Sequence, residues 1–296
     1  MNKKMMLVIN PVAGRGAYVY NFPEAMNLLY SGGYTPTLFF TNKRGDAMRL
    51  VEEHAEDFDA VACIGGDGTL SEVLAGLMKH DNPPSVGYIP MGTANDVATT
   101  LGLPKNDTVG AVRVILAGEE HPFDVGGFGE NEYFAYIAGF GAFTNVSYET
   151  PQSQKKALGH LAYVLQGAAE LPNIKGINVK VEYDDGVFEG SLIYGSMSNS
   201  TSVAGLVKLP EEMVCLGDGI SELVLVKDPG GVEGIGDILS SVLSKRFDSD
   251  KLLVLHTKKA KFTFEEPVAW TRDGEDGGRW KEIELRNCKC PVKLIF

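Results

Sequence analysis

Asp67 is the first residue that asks for a chemical explanation. It stands in Gly65-Gly66-Asp67-Gly68-Thr69, directly after the apolar run Val61–Ile64. One carboxylate therefore sits among three glycines where a strand gives way to a helix. Glycines let the backbone turn through positive φ and let a ligand come close to the amides. Amides at a helix N-terminus attract anions. An acid among them is tolerable where a cation such as Mg2+ lies between it and the anion. This spacing predicts binding of a nucleotide phosphate together with a metal. Thr69 and Glu72 also have the spacing of a capping box, so Thr69 can cap the helix while the glycines hold phosphate.

Further turns extend that chemistry. Asn10-Pro11-Val12-Ala13-Gly14-Arg15-Gly16 follows Met6–Ile9. Its glycines could leave amides open to phosphate, with Arg15 adding charge, or it could be a plain strand-to-helix turn. No Lys-Ser/Thr follows the glycines, so it is not a Walker A loop. Pro90-Met91-Gly92-Thr93-Ala94-Asn95-Asp96 follows Val86–Ile89. Either Thr93 and Asp96 there are a capping pair, or Asp96 faces the crevice and helps to order a metal. Leu216-Gly217-Asp218-Gly219 reads as a turn, with a hard-cation site as the alternative. Arg272-Asp273-Gly274-Glu275 reads as a hairpin tip, which by itself makes Glu275 a solvated acid.

The elements that must place these groups alternate over the first half. Strands are expected at Met6–Ile9, Thr35–Thr41, Val61–Ile64 and Val86–Ile89. Helices are expected near Phe22–Ser31, over Asp46–Ala55, after Thr69 with Leu70, Val73, Leu74 and Leu77 on one stripe, from near Thr93, and over Val109–Ala117. That order implies a parallel sheet with right-handed crossovers. Ligands in such sheets bind at the carboxyl ends of the strands, where all three glycine-bearing turns fall. The pattern changes near Asp124. From there strands dominate: Val179–Tyr183 and Val187–Ile193 around an Asp185-Gly186 turn, then Leu223–Val226, Leu252–His256, Lys261–Phe264 and Glu282–Leu285. Helices are expected at Leu158–Leu171 and near Ile235–Leu243. The domain expectation is an α/β domain over 1–124, to which a segment of about 288–296 returns, and a β-rich domain over 125–287.

Composition narrows the function. A net charge of -12 argues against a nucleic-acid partner, which needs a basic face. With 44% hydrophobic residues the chain can build cores. The apolar run after Lys3-Lys4 is too short for a signal peptide and stops at Asn10-Pro11. No stretch reaches the roughly 18 apolar residues of a spanning helix. The expectation is a cytoplasmic protein. The four cysteines form no C-x-x-C and read as reduced structural thiols.

Taken together, Asn10-Pro11…Gly14, Thr41…Gly45-Asp46-Ala47, Gly65–Thr69, Pro90-x-Gly-Thr-x-Asn-Asp96, Leu158-Gly…Leu161-Ala-Tyr163, Gly217-Asp218-Gly219 and Asp273-Gly-Glu275 resemble the diacylglycerol kinase catalytic-domain family. The likeness is to its bacterial lipid kinases; sphingosine and ceramide kinases are more distant. NAD kinases and phosphofructokinases share a loop like Gly65–Thr69. The resemblance covers nearly the whole chain. It implies an NAD kinase/phosphofructokinase-like domain that binds ATP, a C-terminal β-sandwich that faces the lipid, and an active-site cleft between them. Asn10, Pro11, Val12, Ala13, Gly14, Thr41, Gly65, Gly66, Asp67, Gly68, Thr69, Leu70, Ser71 and Thr93 match nucleotide-binding positions. Glu275 matches the general base, with Asp67 and Asp96 as the other catalytic acids. Asp218 matches a carboxylate that holds structural Mg2+ with the main-chain carbonyls of Cys215 and Ile220.

By resemblance the reaction is ATP- and Mg2+-dependent phosphorylation of a lipid alcohol, at a membrane surface touched transiently. An edge strand could pair two copies into a homodimer. Three positions depart from the family pattern: Ala13 where serine is frequent, Ser71 where asparagine is common, and Gly217 where an acid often precedes Asp218. The alternatives are a nucleotide kinase of the NAD-kinase type and a non-catalytic lipid or nucleotide sensor on the same fold.

Overall fold

The computed structural model describes residues 2–93, 95–142, 176–203, 207–231, 234, 236–238, 240–241 and 249–296. The chain divides into two compact units, Met1–Val125 with Cys288–Phe296, and Gly126–Asn287.

The first unit is built on parallel strands β1 (Lys3–Ile9), β2 (Tyr34–Phe40), β3 (Ala60–Gly65) and β4 (Ser85–Pro90). β1 lies between β2 and β3, and β3 lies beside β4. The chain's last residues add a further parallel strand, with Leu294 opposite Val86 and Ile295 opposite Gly87. Met5–Ile9 are all fully buried, the continuous apolar signature of a strand covered on both faces. The helices are α1 (Phe22–Ser31), α2 (Asp46–His54), α3 (Asp67–Leu77), α4 (Asp96–Thr100) and α5 (Thr108–Ala117). Met5, Leu7 and Ile9 pack with Ala25 and Leu29 of α1 and with Ala111, Val112 and Ile115 of α5. Met6 and Val8 alternate to the opposite face; α2 and α3 pack on each other.

The α4 helix starts at Asp96, later than the expected start near Thr93. Asn95 is the reason. It is buried in a left-handed conformation, φ 51°, and its amide group donates to the Gly92 carbonyl at 2.9 Å. The turn therefore stays non-helical until the next residue.

The second unit is sheet-rich. Its strands are β5 (Glu120–Phe128, begun in the first unit), β6 (Glu132–Phe134), β7 (Ile137–Gly141), β8 (Ile177–Tyr183), β9 (Gly186–Ser198), β10 (Ser202–Val203), β11 (Val207–Lys208), β12 (Ser221–Lys227), β13 (Leu252–Thr257), β14 (Lys259–Arg272) and β15 (Glu275–Ile295, ended in the first unit). Antiparallel pairing runs β8–β9–β7–β14 and back to β8. Trp270 is the hub of its core, with ring centroids of Phe140 and Phe262 at 4.9 and 5.0 Å. Edge and tilted arrangements of this kind add to plain area burial.

The β8–β9 turn is Asp184-Asp185, not Asp185-Gly186, since Tyr183 pairs with Gly186. Asp184 fixes it by accepting the Lys258 amide at 2.7 Å. The expected helix Leu158–Leu171 lies outside the described residues, and the one near Ile235–Leu243 lies partly outside them. Among the described residues no helix is long and apolar enough to cross a membrane.

Candidate active site

Three strand ends of the first unit meet backbone to backbone. The Asn10 amide after β1 donates to the Ile64 carbonyl at 2.9 Å, and the Met91 amide after β4 donates to the Gly65 carbonyl at 2.7 Å. Asn10 Nδ2 donates to Thr69 Oγ1 at 3.2 Å, which ties the first loop to the start of α3. Thr41, buried after β2, donates its amide to the Ile9 carbonyl at 3.0 Å. The loops after β1, β2, β3 and β4 thus form one cluster at the carboxyl edge of the sheet.

Glycine is required for this closeness. A Cβ on Gly92 would stand 2.4 Å from the Gly66 Cα, and one on Gly14 would stand 2.5 Å from the Met91 carbonyl oxygen. Gly14-Arg15-Gly16 also run left-handed, with φ of 56°, 59° and 76°. Backbone cannot retreat as a side chain can. Gly92→Ala should therefore cost about 1–3 kcal/mol, as overpacking does, and lower the melting temperature by several degrees. Thermal unfolding of the purified variant measures it; an unchanged midpoint would mean that the loops are not in contact.

Asp67 is the first residue of α3 and is buried. Its carboxylate does not lie idle among the glycines. Oδ2 accepts the Asp96 amide at 2.9 Å and Oδ1 accepts the Val97 amide at 3.2 Å. These are first-turn amides of α4, which has no side-chain cap from its own N-cap residue. Asp67 thus caps a neighbouring helix, whose N-cap residue is Asn95 and not the expected Thr93. The expected Thr69–Glu72 box is not formed, because α3 has Gly66 at its N-cap. Glu72 instead accepts the Gly45 amide at 2.7 Å and the Ala47 amide at 3.1 Å, which caps α2. Asp46 in turn accepts the Asn42 and Lys43 amides, and the Asn42 amide holds its carboxyl below the usual carboxylate range.

The remaining first-unit residues fall out unequally. The Thr69 and Leu70 amides are spent on the Gly66 carbonyl. The Leu70 side chain is fully buried and serves the core. Ser71 follows one turn into the helix, and Thr93, Pro11 and Val12 are exposed while Ala13 is half-buried. Burial pushes the Cys63 thiol up, which removes it as a nucleophile.

Asp218, Cys215, Ile220 and Glu275 belong to the second unit. Asp218 is exposed and accepts the Ile220 amide at 2.9 Å within its own turn; Cys215 is exposed and Ile220 half-buried. Among the described residues no three of His, Cys, Asp and Glu gather as a metal cage. Glu275 is half-buried and opens β15 opposite Arg272. The two residues between are left-handed, Asp273 at φ 49° and Gly274 at φ 78°, the geometry of a type I′ hairpin turn. Buried Asp273 is a residue that the spacing did not mark. The signals were an acid before glycine in the hairpin tip and its place in the Asp273-Gly-Glu275 motif, neither of which gave it a role.

The family model for the diacylglycerol kinase catalytic domain matches residues 4–128. A Bacillus subtilis protein named diacylglycerol kinase is 32% identical, covering 93% of this chain and 91% of its own length. A Staphylococcus epidermidis protein of the same name is 34% identical, covering 94% of this chain and 88% of its own. A crystal structure described as a diacylglycerol kinase from Bacillus anthracis superposes with a TM-score of 0.76 at 23% identity, over 99% of this chain and 97% of that one.

Proposed function

The chain belongs to the diacylglycerol kinase catalytic-domain family, and from that premise we propose that it transfers the γ-phosphoryl group of ATP to the hydroxyl of diacylglycerol or a related lipid alcohol. The observation that carries this reading is the loop cluster of the first unit, where Asp67 joins the start of α3 to the start of α4. The N-terminus of α3 there offers a favourable dipole to phosphate.

In this reading the first unit, NAD kinase/phosphofructokinase-like, is the ATP-binding domain, and the second, a β-sandwich, carries the lipid. ATP lies against Asn10–Gly14 and Gly65–Ser71, with Thr41 and Thr93 adding contacts. The lipid hydroxyl oxygen attacks the γ-phosphorus. The new O–P bond forms as the bond to the β-phosphate oxygen breaks and ADP leaves. Glu275 accepts the hydroxyl proton, and Asp96 completes the acidic side of the site. Phosphoryl transfer needs alignment and charge neutralisation more than covalent help.

The donors available suit Mg2+, since they are all hard oxygens. A carboxylate has about four lone-pair sites, so Asp67 and Asp218 can hold their amides and still meet a cation. Asp218 with the Cys215 and Ile220 carbonyls would hold one ion, and Asp67 would share another with the nucleotide. Bound there, Mg2+ offsets charge on the transferring group. The protein would act from the cytoplasm on the membrane surface, with β2, the terminal strand of the first unit's sheet, free in principle to pair two copies.

The test is a transfer screen. Purified protein, radiolabelled ATP and Mg2+ are mixed with micelles of diacylglycerol, phosphatidylglycerol or sphingosine, and in parallel with NAD. Label in a lipid alcohol is expected. Label only in NAD would make the protein a nucleotide kinase. ATP binding with no turnover on any acceptor would make it a sensor.

A further inference from the structure

We propose that Asp273 is the positioning residue that holds Glu275 in place, an inference that rests on Glu275 being the base. The Asp273 carboxylate accepts three successive main-chain amides, Ala135 at 2.6 Å, Tyr136 at 3.0 Å and Ile137 at 3.1 Å. Its own amide donates to the Ile137 carbonyl at 2.9 Å. The side chain is 6% exposed. Charge-assisted bonds of this kind are about twice as strong as neutral ones, and three of them converge on one side chain at the tip of the β14–β15 hairpin.

A hairpin needs no such anchor to turn. Asp-Gly alone supplies the left-handed pair, and many residues would tolerate a solvated tip. What the anchor adds is location. Asp273 is bound to the segment that leads into β7, 136 to 138 residues earlier in the chain. Glu275 is two residues further on, on the closing pair of the hairpin. Its partner Arg272 is fixed as well, by an ion pair with Glu132 at 3.2 Å and by the Phe128 ring at 5.6 Å. The turn leading into Glu275 and the residue opposite it are therefore held while its own side chain stays half-buried. A general base works only within hydrogen-bond reach of the proton that it takes, and misplacement by about 1 Å can cost about 100-fold.

The experiment is a double-mutant cycle on turnover with full-length protein. Asp273→Asn keeps the shape but sets an NH2 group against an amide donor. It is expected to lower kcat about 10- to 100-fold and to leave the ATP dissociation constant, measured without lipid, unchanged. In the Glu275→Gln background the same substitution should add less than about 2-fold, because residues that act as a unit are non-additive. If Asp273 only kept the hairpin folded, the two losses would multiply, and that result overturns the proposal. So does wild-type kcat in Asp273→Asn. Asp273→Ser, whose hydroxyl can accept one amide, repeats the cycle should the asparagine variant not fold. Near-wild-type kcat in Glu275→Gln alone would overturn the base assignment instead, which is a separate result.

Discussion

Asp67→Ala should abolish phosphoryl transfer, with a loss of about 1,000-fold or more, and should also soften the first unit. Both effects come from one carboxylate. Its removal strands the Asp96 and Val97 amides, which it meets at 2.9 and 3.2 Å in part-buried and buried surroundings. Each orphaned donor costs about 1–3 kcal/mol, so a destabilisation of about 2–6 kcal/mol is expected for the two. The α4 start would then be free to leave the loop cluster, and the amides of Gly66–Gly68 would lose the frame that aims them. Asp67→Asn separates bracing from charge. Its carbonyl oxygen can keep one of the two amide bonds, so part of the stability should return while turnover does not. Melting temperature and initial rate, read across a Mg2+ titration, distinguish the two. If the asparagine variant turns over within a few-fold of the parent, Asp67 is a brace and holds no metal.

The positions of these acids were legible in the sequence, but their partners were not. The strands and helices of the first unit follow from periodicity, and α1 spans Phe22–Ser31 as its pattern predicts. Capping, however, was expected to be local, with Thr69 and Glu72 closing their own helix. The glycine contacts between loops change the competition. Once Gly66 and Gly92 lie backbone on backbone, the first amides of α4 come within hydrogen-bond reach of Asp67. Likewise α2 packs on α3 and brings its first amides to Glu72. Glycine spacing announces that backbones will approach each other. It does not say which ones.

Three acids therefore follow one rule in two separate units. Asp67, Glu72 and Asp273 each direct both carboxylate oxygens at main-chain amides remote in sequence. A side-chain clamp on backbone locates a whole segment, whereas a contact between side chains locates only a rotamer. That is the kind of support a reaction of alignment requires. It also explains why Glu275 looked like a surface acid. Its immediate neighbours in sequence are turn residues, and the group that fixes it in space is bonded to a strand far upstream.

Glu275→Gln should lower kcat about 100- to 10,000-fold, the range of a positioned base, with the fold intact. Glutamine fills the same volume at a half-buried position, and the hairpin is held by Asp273 rather than by Glu275 itself. Melting temperature should stay within about 2 °C, since a surface substitution away from such anchors changes stability by about 0.5 kcal/mol at most. ATP affinity should not move, because the loops proposed to hold the nucleotide lie in the first unit. The alanine variant adds an independent check. Truncation leaves room for a small carboxylate, so formate should restore part of the rate in Glu275→Ala and none in Glu275→Gln. Full activity in either variant, or equal response of both to formate, would mean that the proton of the lipid hydroxyl leaves by another route. The fold, the loop cluster and the family relationship would survive that result, because none of them depends on which group takes the proton.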